Sequence, residues 1–116
     1  MLMRTWQPKE LCLYILASAR DGTLYTGVTS NIYDRMIQHR NGAFAGFTHR
    51  YHVHMLVYYE IHNTMVEAIT RERRIKKWER AWKVRLIQEM NPEWLDLFDE
   101  ENGISLPPAD IVRRKW

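Results

Sequence analysis

Residues 11–30, LCLYILASARDGTLYTGVTS, decide the fold. Leu11 to Leu16 is a short apolar run and Thr23 to Thr29 is a second. Between them, Ala19-Arg20-Asp21-Gly22 carries an Asp-Gly pair, the strongest short signal for a hairpin turn. The stretch therefore reads as two antiparallel strands, roughly 11–17 and 23–29. Tyr14 and Tyr25 lie on adjacent strands, equally near the turn to within a residue or two, so their hydroxyls can converge. Gly27 places no side chain in a strand interior, as needed where another backbone or a ligand approaches closely.

Downstream of the hairpin, Ser30 and Asn31 are good helix N-caps, and Ile32 and Met36 give the next helix an inward stripe. Asn41-Gly42 should close that helix. Residues 43–52, AFAGFTHRYH, read as a surface loop in which Phe47 and Tyr51 could stack on bases. Met55 to Ile61, β-branched and aromatic, reads as a third strand. Thr64-Met65-Val66-Glu67 fits a capping box and opens a helix from Met65 to about Trp78, followed by another through Met90. Asn91-Pro92 ends the second of these, since proline lacks an amide and disfavours helix in the residue before it. Glu93 to Phe98 could add one more turn, and Asp99 to Trp116, with Gly103 and Pro107-Pro108, reads as a loose tail. The expected division is a domain over 10–98 and a tail over 99–116, with no internal repeat or low-complexity segment.

The 116 residues suit one compact domain, and 46% hydrophobic with 27% charged residues is a globular mix rather than a disordered one. Cys12 is the single cysteine, so nothing depends on an internal disulfide. No run approaches the ~18 apolar residues of a membrane-spanning helix, and MLMRTWQPKE lacks the apolar block of a secretion signal. These features read as a soluble cytoplasmic protein; the oligomeric state is not legible. Net charge is only +3, but Arg71 to Arg85 holds eight basic residues against two acids, and Glu89 to Glu101 holds six acids and no base. One part of the surface should attract phosphates. The plainer alternative is a solvated helix face.

Two helices carry candidate chemistry. At about 100° per residue, Glu72 shares a side with Met65, Ala68, Ile69 and Ile75, whereas Arg71, Arg73 and Arg74 point elsewhere. A carboxylate on an apolar face must be paired, protonated or bound to a metal. A buried salt bridge to a core arginine is the structural alternative. Arg35 and His39 stack on one strip beside Ile32 and Met36. Arginine grips two phosphate oxygens with a planar, permanently charged fork, and histidine moves protons near neutral pH. Surface decoration is the alternative here.

Together these residues resemble the GIY-YIG nucleases. Cys12-Leu13-Tyr14 stands where that family has its GIY triplet, Tyr25-Thr26-Gly27 where it has YIG, and ten residues separate the tyrosines. Asn31-Ile32-Tyr33-Asp34-Arg35, followed by His39, is similar to the family's catalytic helix. Ala68-Ile69-Thr70-Arg71-Glu72 is similar to the segment with its metal-binding glutamate, and Asn91 matches an asparagine near the domain's end. The closest likeness is to small, free-standing bacterial members with IKKWxRAWK and NPEW, here residues 75–83 and 91–94. Two departures stand out: Cys12 replaces the GIY glycine, and Val28 follows the YIG glycine where DNA-repair members carry lysine.

The resemblance implies an α/β (α+β) fold, a three-stranded antiparallel sheet flanked by helices. It also implies hydrolysis of a DNA phosphodiester to leave 5′-phosphate and 3′-hydroxyl ends. Glu72 would hold one Mg²⁺ or Mn²⁺, Arg35 would hold the scissile phosphate, and Tyr14 or Tyr25 would orient or deprotonate the attacking water. The base role requires Arg35 and the metal to depress a tyrosine pKa that is ordinarily ~10. His39 would assist one tyrosine or bind the phosphate. Arg50, Arg73, Arg74, Lys76, Lys77, Lys83 and Asn91 are the expected nucleic-acid contacts. Two rivals belong to other classes: an inactive or partner-dependent nucleic-acid-binding module of the same fold, and a protein adaptor using Trp78, Trp82 and Trp94. No zinc knuckle or helix-turn-helix is attached, and so small a groove favours single strands or flexible junctions over intact duplex.

Overall fold

A computed structural model describes residues 11–42, 46 and 50–105. The chain runs β1 (Leu11–Ala17), β2 (Leu24–Thr29), α1 (Ile32–Arg40), β3 (Met55–His62), α2 (Met65–Lys76), α3 (Arg80–Met90), β4 (Phe98–Asp99) and β5 (Gly103–Ile104). The first three strands form an antiparallel sheet in the order β2-β1-β3, and β4 pairs with β5. The expected α+β architecture is therefore present. Phe44 and Phe47 of the expected aromatic loop, and the tail from Leu106 onward, lie outside the described residues.

Central placement explains the unbroken apolar run of β1. Cys12, Tyr14 and Leu16 pack with Ile32 and Met36 of α1, whereas Leu13, Ile15 and Ala17 pack with Ile75 of α2 and Leu86 and Ile87 of α3. Alternate side chains of a strand leave opposite faces, so a strand covered on both sides is apolar throughout. A register shift between Ile15 and Leu16 lets β3 bulge at this point. The β1–β2 turn is closed by Gly22 N–H donating to Ala19 O at 2.9 Å and Ser18 N–H donating to Thr23 O at 3.0 Å. Asp21, at φ 58°, supplies the left-handed residue. Gly22 is needed for space instead, because a Cβ there would lie 2.3 Å from Ser18 Oγ.

Both helix caps read from sequence form. Asn31 accepts from Asp34 N–H at the start of α1, and Thr64 accepts from Glu67 N–H at the start of α2. Gly42 takes φ 74° just beyond α1. Two expectations fail. No helical turn forms over 93–98, because buried Trp94 adopts φ 56° and Leu97 N–H donates to Leu56 O at 2.8 Å. The first residues of the expected tail are not loose either. They turn through the β4–β5 hairpin, and Tyr33 of α1 donates its hydroxyl to Glu100 O. Burial of Trp94 and partial burial of Trp78 leave Trp82 as the exposed member of the three tryptophans, so they do not make one aromatic face for an adaptor.

Candidate active site

Pairing of β1 with β2 sets Tyr14 opposite Gly27 and Leu16 opposite Tyr25, so the two tyrosines are diagonal neighbours on one face. Their ring centroids are 6.3 Å apart. A Cβ on Gly27 would lie 2.6 Å from Tyr14 Oη and 2.7 Å from Cζ, so the missing side chain makes room for the Tyr14 ring itself. The α1 helix brings His39 against both rings, with centroids 5.9 Å from Tyr14 and 5.6 Å from Tyr25. Tyr14 Oη lies 3.0 Å from His39 Nε2. Arg35, one turn earlier on α1, hydrogen-bonds the same hydroxyl, and the Glu72 charge also acts on it. Arg35 and His39 thus meet at the buried Tyr14 oxygen, with Tyr25 beside it and Glu72 near enough for its charge to act there.

Burial keeps both groups neutral. Burial pushes the Tyr14 phenol above its ordinary value, reinforced by Tyr25 and Glu72 and only partly opposed by Arg35. His39 moves the other way, down to about 4, because burial and the charges of Arg35 and His54 disfavour its cation. A neutral imidazole has one accepting nitrogen. With Nε2 as that nitrogen, Tyr14 donates its O–H to His39 across the 3.0 Å contact, while a guanidinium N–H of Arg35 donates to the Tyr14 oxygen. The depressed pKa that a base role requires is not met by Tyr14 in the unliganded protein, where burial outweighs the guanidinium.

Helical spacing misplaces two residues of α2, Met65 and Arg71. Its buried positions are Ala68, Arg71 and Ile75, whereas Met65 is exposed and Glu72 is only half-buried beside them. Arg71, expected to point elsewhere, makes the buried ion pair that had been weighed for Glu72, and its acid is Glu60 of β3. Glu72 meets Lys76 at 3.0 Å, with 16% of the acid side chain exposed. Among the described residues, no group of three or more His, Cys, Asp or Glu could enclose a metal ion. One partly exposed carboxylate, near enough to Tyr14 for its charge to act there, instead fits a hydrated hard cation, which keeps several waters and takes one or two carboxylates. Glu72 would be its protein ligand.

The expected nucleic-acid contacts separate. Arg50, Arg73, Arg74, Lys76 and Lys77 are exposed, and the Arg50 guanidinium lies 5.7 Å from the Tyr51 ring centre. Lys76 and Lys83 line a cleft with Leu24, Tyr25 and Thr26. Burial and the neighbouring Arg80 and Lys76 charges lower the Lys83 pKa. Asn91 must be withdrawn. It is 1% exposed, donates to Val57 O at 3.1 Å and Leu95 O at 2.8 Å, and accepts from Leu95 N–H at 3.0 Å, so its amide is committed to the fold. Two other members of the basic run are also engaged: Arg71 inside, and Arg80 on the carbonyls of Asp21 and Gly22. Sequence reasoning missed His54, whose charge acts on His39; it lies beyond an irregular stretch with no periodic signal.

The family described as "GIY-YIG catalytic domain" matches residues 10–85. A UPF0213 protein of Staphylococcus saprophyticus is 42% identical over 77 residues, covering 66% of this chain and 93% of the relative. One from Staphylococcus epidermidis is 39% identical over 74 residues, covering 64% and 90%, and one from Staphylococcus aureus is 41% identical over 75 residues with the same coverage. No solved structure matches. No helix of the described residues is long and apolar enough to cross a membrane.

Proposed function

Because this chain belongs to the GIY-YIG catalytic domain family, a family of nucleases, we propose that it is a divalent-metal-dependent endonuclease that hydrolyses DNA phosphodiesters to 5′-phosphate and 3′-hydroxyl ends. DNA is the substrate that such a domain implies, and nucleases of this family generally depend on a divalent metal; the ion proposed here is Mg²⁺ or Mn²⁺. The observation that carries the reading is the Tyr14 hydroxyl shared between Arg35 and His39, within reach of the Glu72 charge. A packed core has no need to gather a guanidinium, an imidazole, two phenols and a carboxylate at one point, and perturbed groups cluster at sites of chemistry.

Each side chain has a role its environment supports. Arg35 turns its fork from Tyr14 to a phosphate and offsets charge growing on the non-bridging oxygens. Tyr14, held neutral, hydrogen-bonds the attacking water and passes its own proton toward His39 Nε2 as the water loses one. Tyr25 flanks the same oxygen and orients the water. Glu72 holds the cation, which when bound supplies neutralisation of the leaving 3′-oxygen. Arg50, Arg73, Arg74, Lys76, Lys77 and Lys83 contact the backbone through charge, a sequence-independent mode. The cleft lined by Tyr25, Lys76 and Lys83 is small, and we read it as suited to single-stranded or branched DNA over intact duplex.

Incubating purified protein with end-labelled single-stranded, branched and duplex DNA tests the proposal. Cleavage is expected with Mn²⁺ or Mg²⁺ and none with EDTA, and the products should be religatable. DNA binding without cleavage under every metal condition would turn the reading to an inactive binding module. The pH dependence gives an independent check. A His39 pKa of about 4 means that its accepting nitrogen survives throughout the neutral range. The acid limb of the rate profile should therefore fall only as pH approaches that value, with no inflection near the ordinary imidazole pKa of ~6.5. Stability carries the same sign: between those two values the unfolded chain binds the extra proton, so lowering pH through that window destabilises the fold. An inflection near the ordinary imidazole value that His39→Gln abolishes would contradict the neutral-acceptor role.

A further inference from the structure

The inner face of α2 holds a charged pair that the proposed chemistry does not use. Glu60 is fully buried on β3, and its carboxylate accepts from the Tyr58 hydroxyl and from Arg71 Nε at 2.9 Å, with Arg71 Nη2 at 3.4 Å and His62 Nε2 at 2.6 Å. The Arg71 guanidinium also lies 5.4 Å from the ring centre of Trp78. Arg71 immediately precedes Glu72 in the chain.

Stability alone is a poor reason for such a pair. Withdrawing two charges from water costs about as much as their attraction returns, and apolar side chains of similar volume often serve as well. What the pair adds is direction, because a guanidinium fork meets a carboxylate in a fixed orientation. The other buried side chains of α2, Ala68 and Ile75, supply contact without direction. An apolar stripe by itself tolerates some rotation of the helix, whereas a fork locked to a carboxylate on β3 does not. We propose that the Glu60–Arg71 pair positions the metal-binding carboxylate: by fixing the rotation of α2 about its axis, it turns Glu72, about 100° further round, toward Tyr14 and Arg35. Lys76 holds the same carboxylate from its exposed side. Glu60 and Arg71 are positioning residues that touch neither substrate nor metal. This inference rests on the reading of Glu72 as the metal ligand.

The test is direct Mn²⁺ binding to the full chain without DNA, by calorimetry, for the parent, Glu72→Gln, Arg71→Lys and the double variant Glu60→Met/Arg71→Met. Arg71→Lys keeps the charge and loses the fork, so it remains informative if the double variant fails to fold. Both pair variants should bind Mn²⁺ about tenfold more weakly, as expected for partners that orient a metal ligand. Cleavage should then need more Mn²⁺ for half-saturation while kcat at saturating Mn²⁺ stays close to the parent's. A purely structural pair would lower the melting temperature and leave Mn²⁺ affinity in place. Isotherms of Arg71→Lys that superimpose on the parent's, with Glu72→Gln weakened, would overturn this inference alone. Mn²⁺ affinity unchanged in Glu72→Gln would overturn the metal assignment and this inference with it.

Discussion

Glu72→Gln is expected to fold and bind DNA but not to cut it. The expected loss of metal-dependent cleavage is about three orders of magnitude, the scale set by removing a principal source of transition-state charge stabilisation. Stability should barely change, because the partner of Glu72 is the half-exposed ammonium of Lys76 one turn away, and helix pairs of that kind contribute ~0.3–0.5 kcal/mol. The contrast with Glu60 is sharp. Stripping a fully buried carboxylate of its partner, as Arg71→Met alone would do, belongs to the class that costs ~3–5 kcal/mol. Melting temperature, DNA affinity in EDTA and cleavage in Mn²⁺ should be measured side by side for the parent and Glu72→Gln. A variant that melts far earlier yet still cuts in the cold would sink the metal assignment.

Arg35→Lys is the second large effect, a loss of about two to three orders of magnitude in single-turnover cleavage. An ammonium keeps the charge but cannot hold a phosphate by two parallel bonds, nor reproduce the guanidinium contact to the Tyr14 hydroxyl. DNA affinity should change little, since exposed Arg73, Arg74 and Lys77 remain for backbone contacts. Undiminished turnover in this variant would remove Arg35 from the mechanism.

The parts of the site legible in the sequence are those set by local rules. Strand alternation and a turn signal place Tyr14 and Tyr25 on one face, and helical spacing stacks Arg35 with His39. What was misread depends on distant partners. On α2, helical spacing sets Arg71 off the apolar side, yet it turns inward to an acid eleven residues earlier. Nothing local marks Glu60, in the middle of an aromatic strand, as that acid. Asn91 sits where family likeness points to function, but its amide ties three backbone groups that come together only once β3 and the segment after α3 have packed. The β4–β5 hairpin escapes because two-residue strands carry no period to detect. Left-handed backbone at a tryptophan goes against residue preference, and tertiary packing overrides that preference at Trp94.

The outer strand β2 lies at one margin of the three-stranded sheet, with Lys76 and Lys83 lining the cleft along it. An open strand margin is a template for another chain, and lysines are among the residues that keep it from being used. The same two ammonium groups proposed to draw a nucleic-acid backbone to the cleft are therefore also placed to keep copies of the protein from adding to one another's sheets. Variants made to test DNA contacts by neutralising both lysines remove that protection too. Their loss of activity has to be separated from self-association by light scattering before it is credited to weaker binding. Glutamine in place of lysine would expose the difference most clearly, since it removes the repulsion while keeping a polar side chain of similar reach.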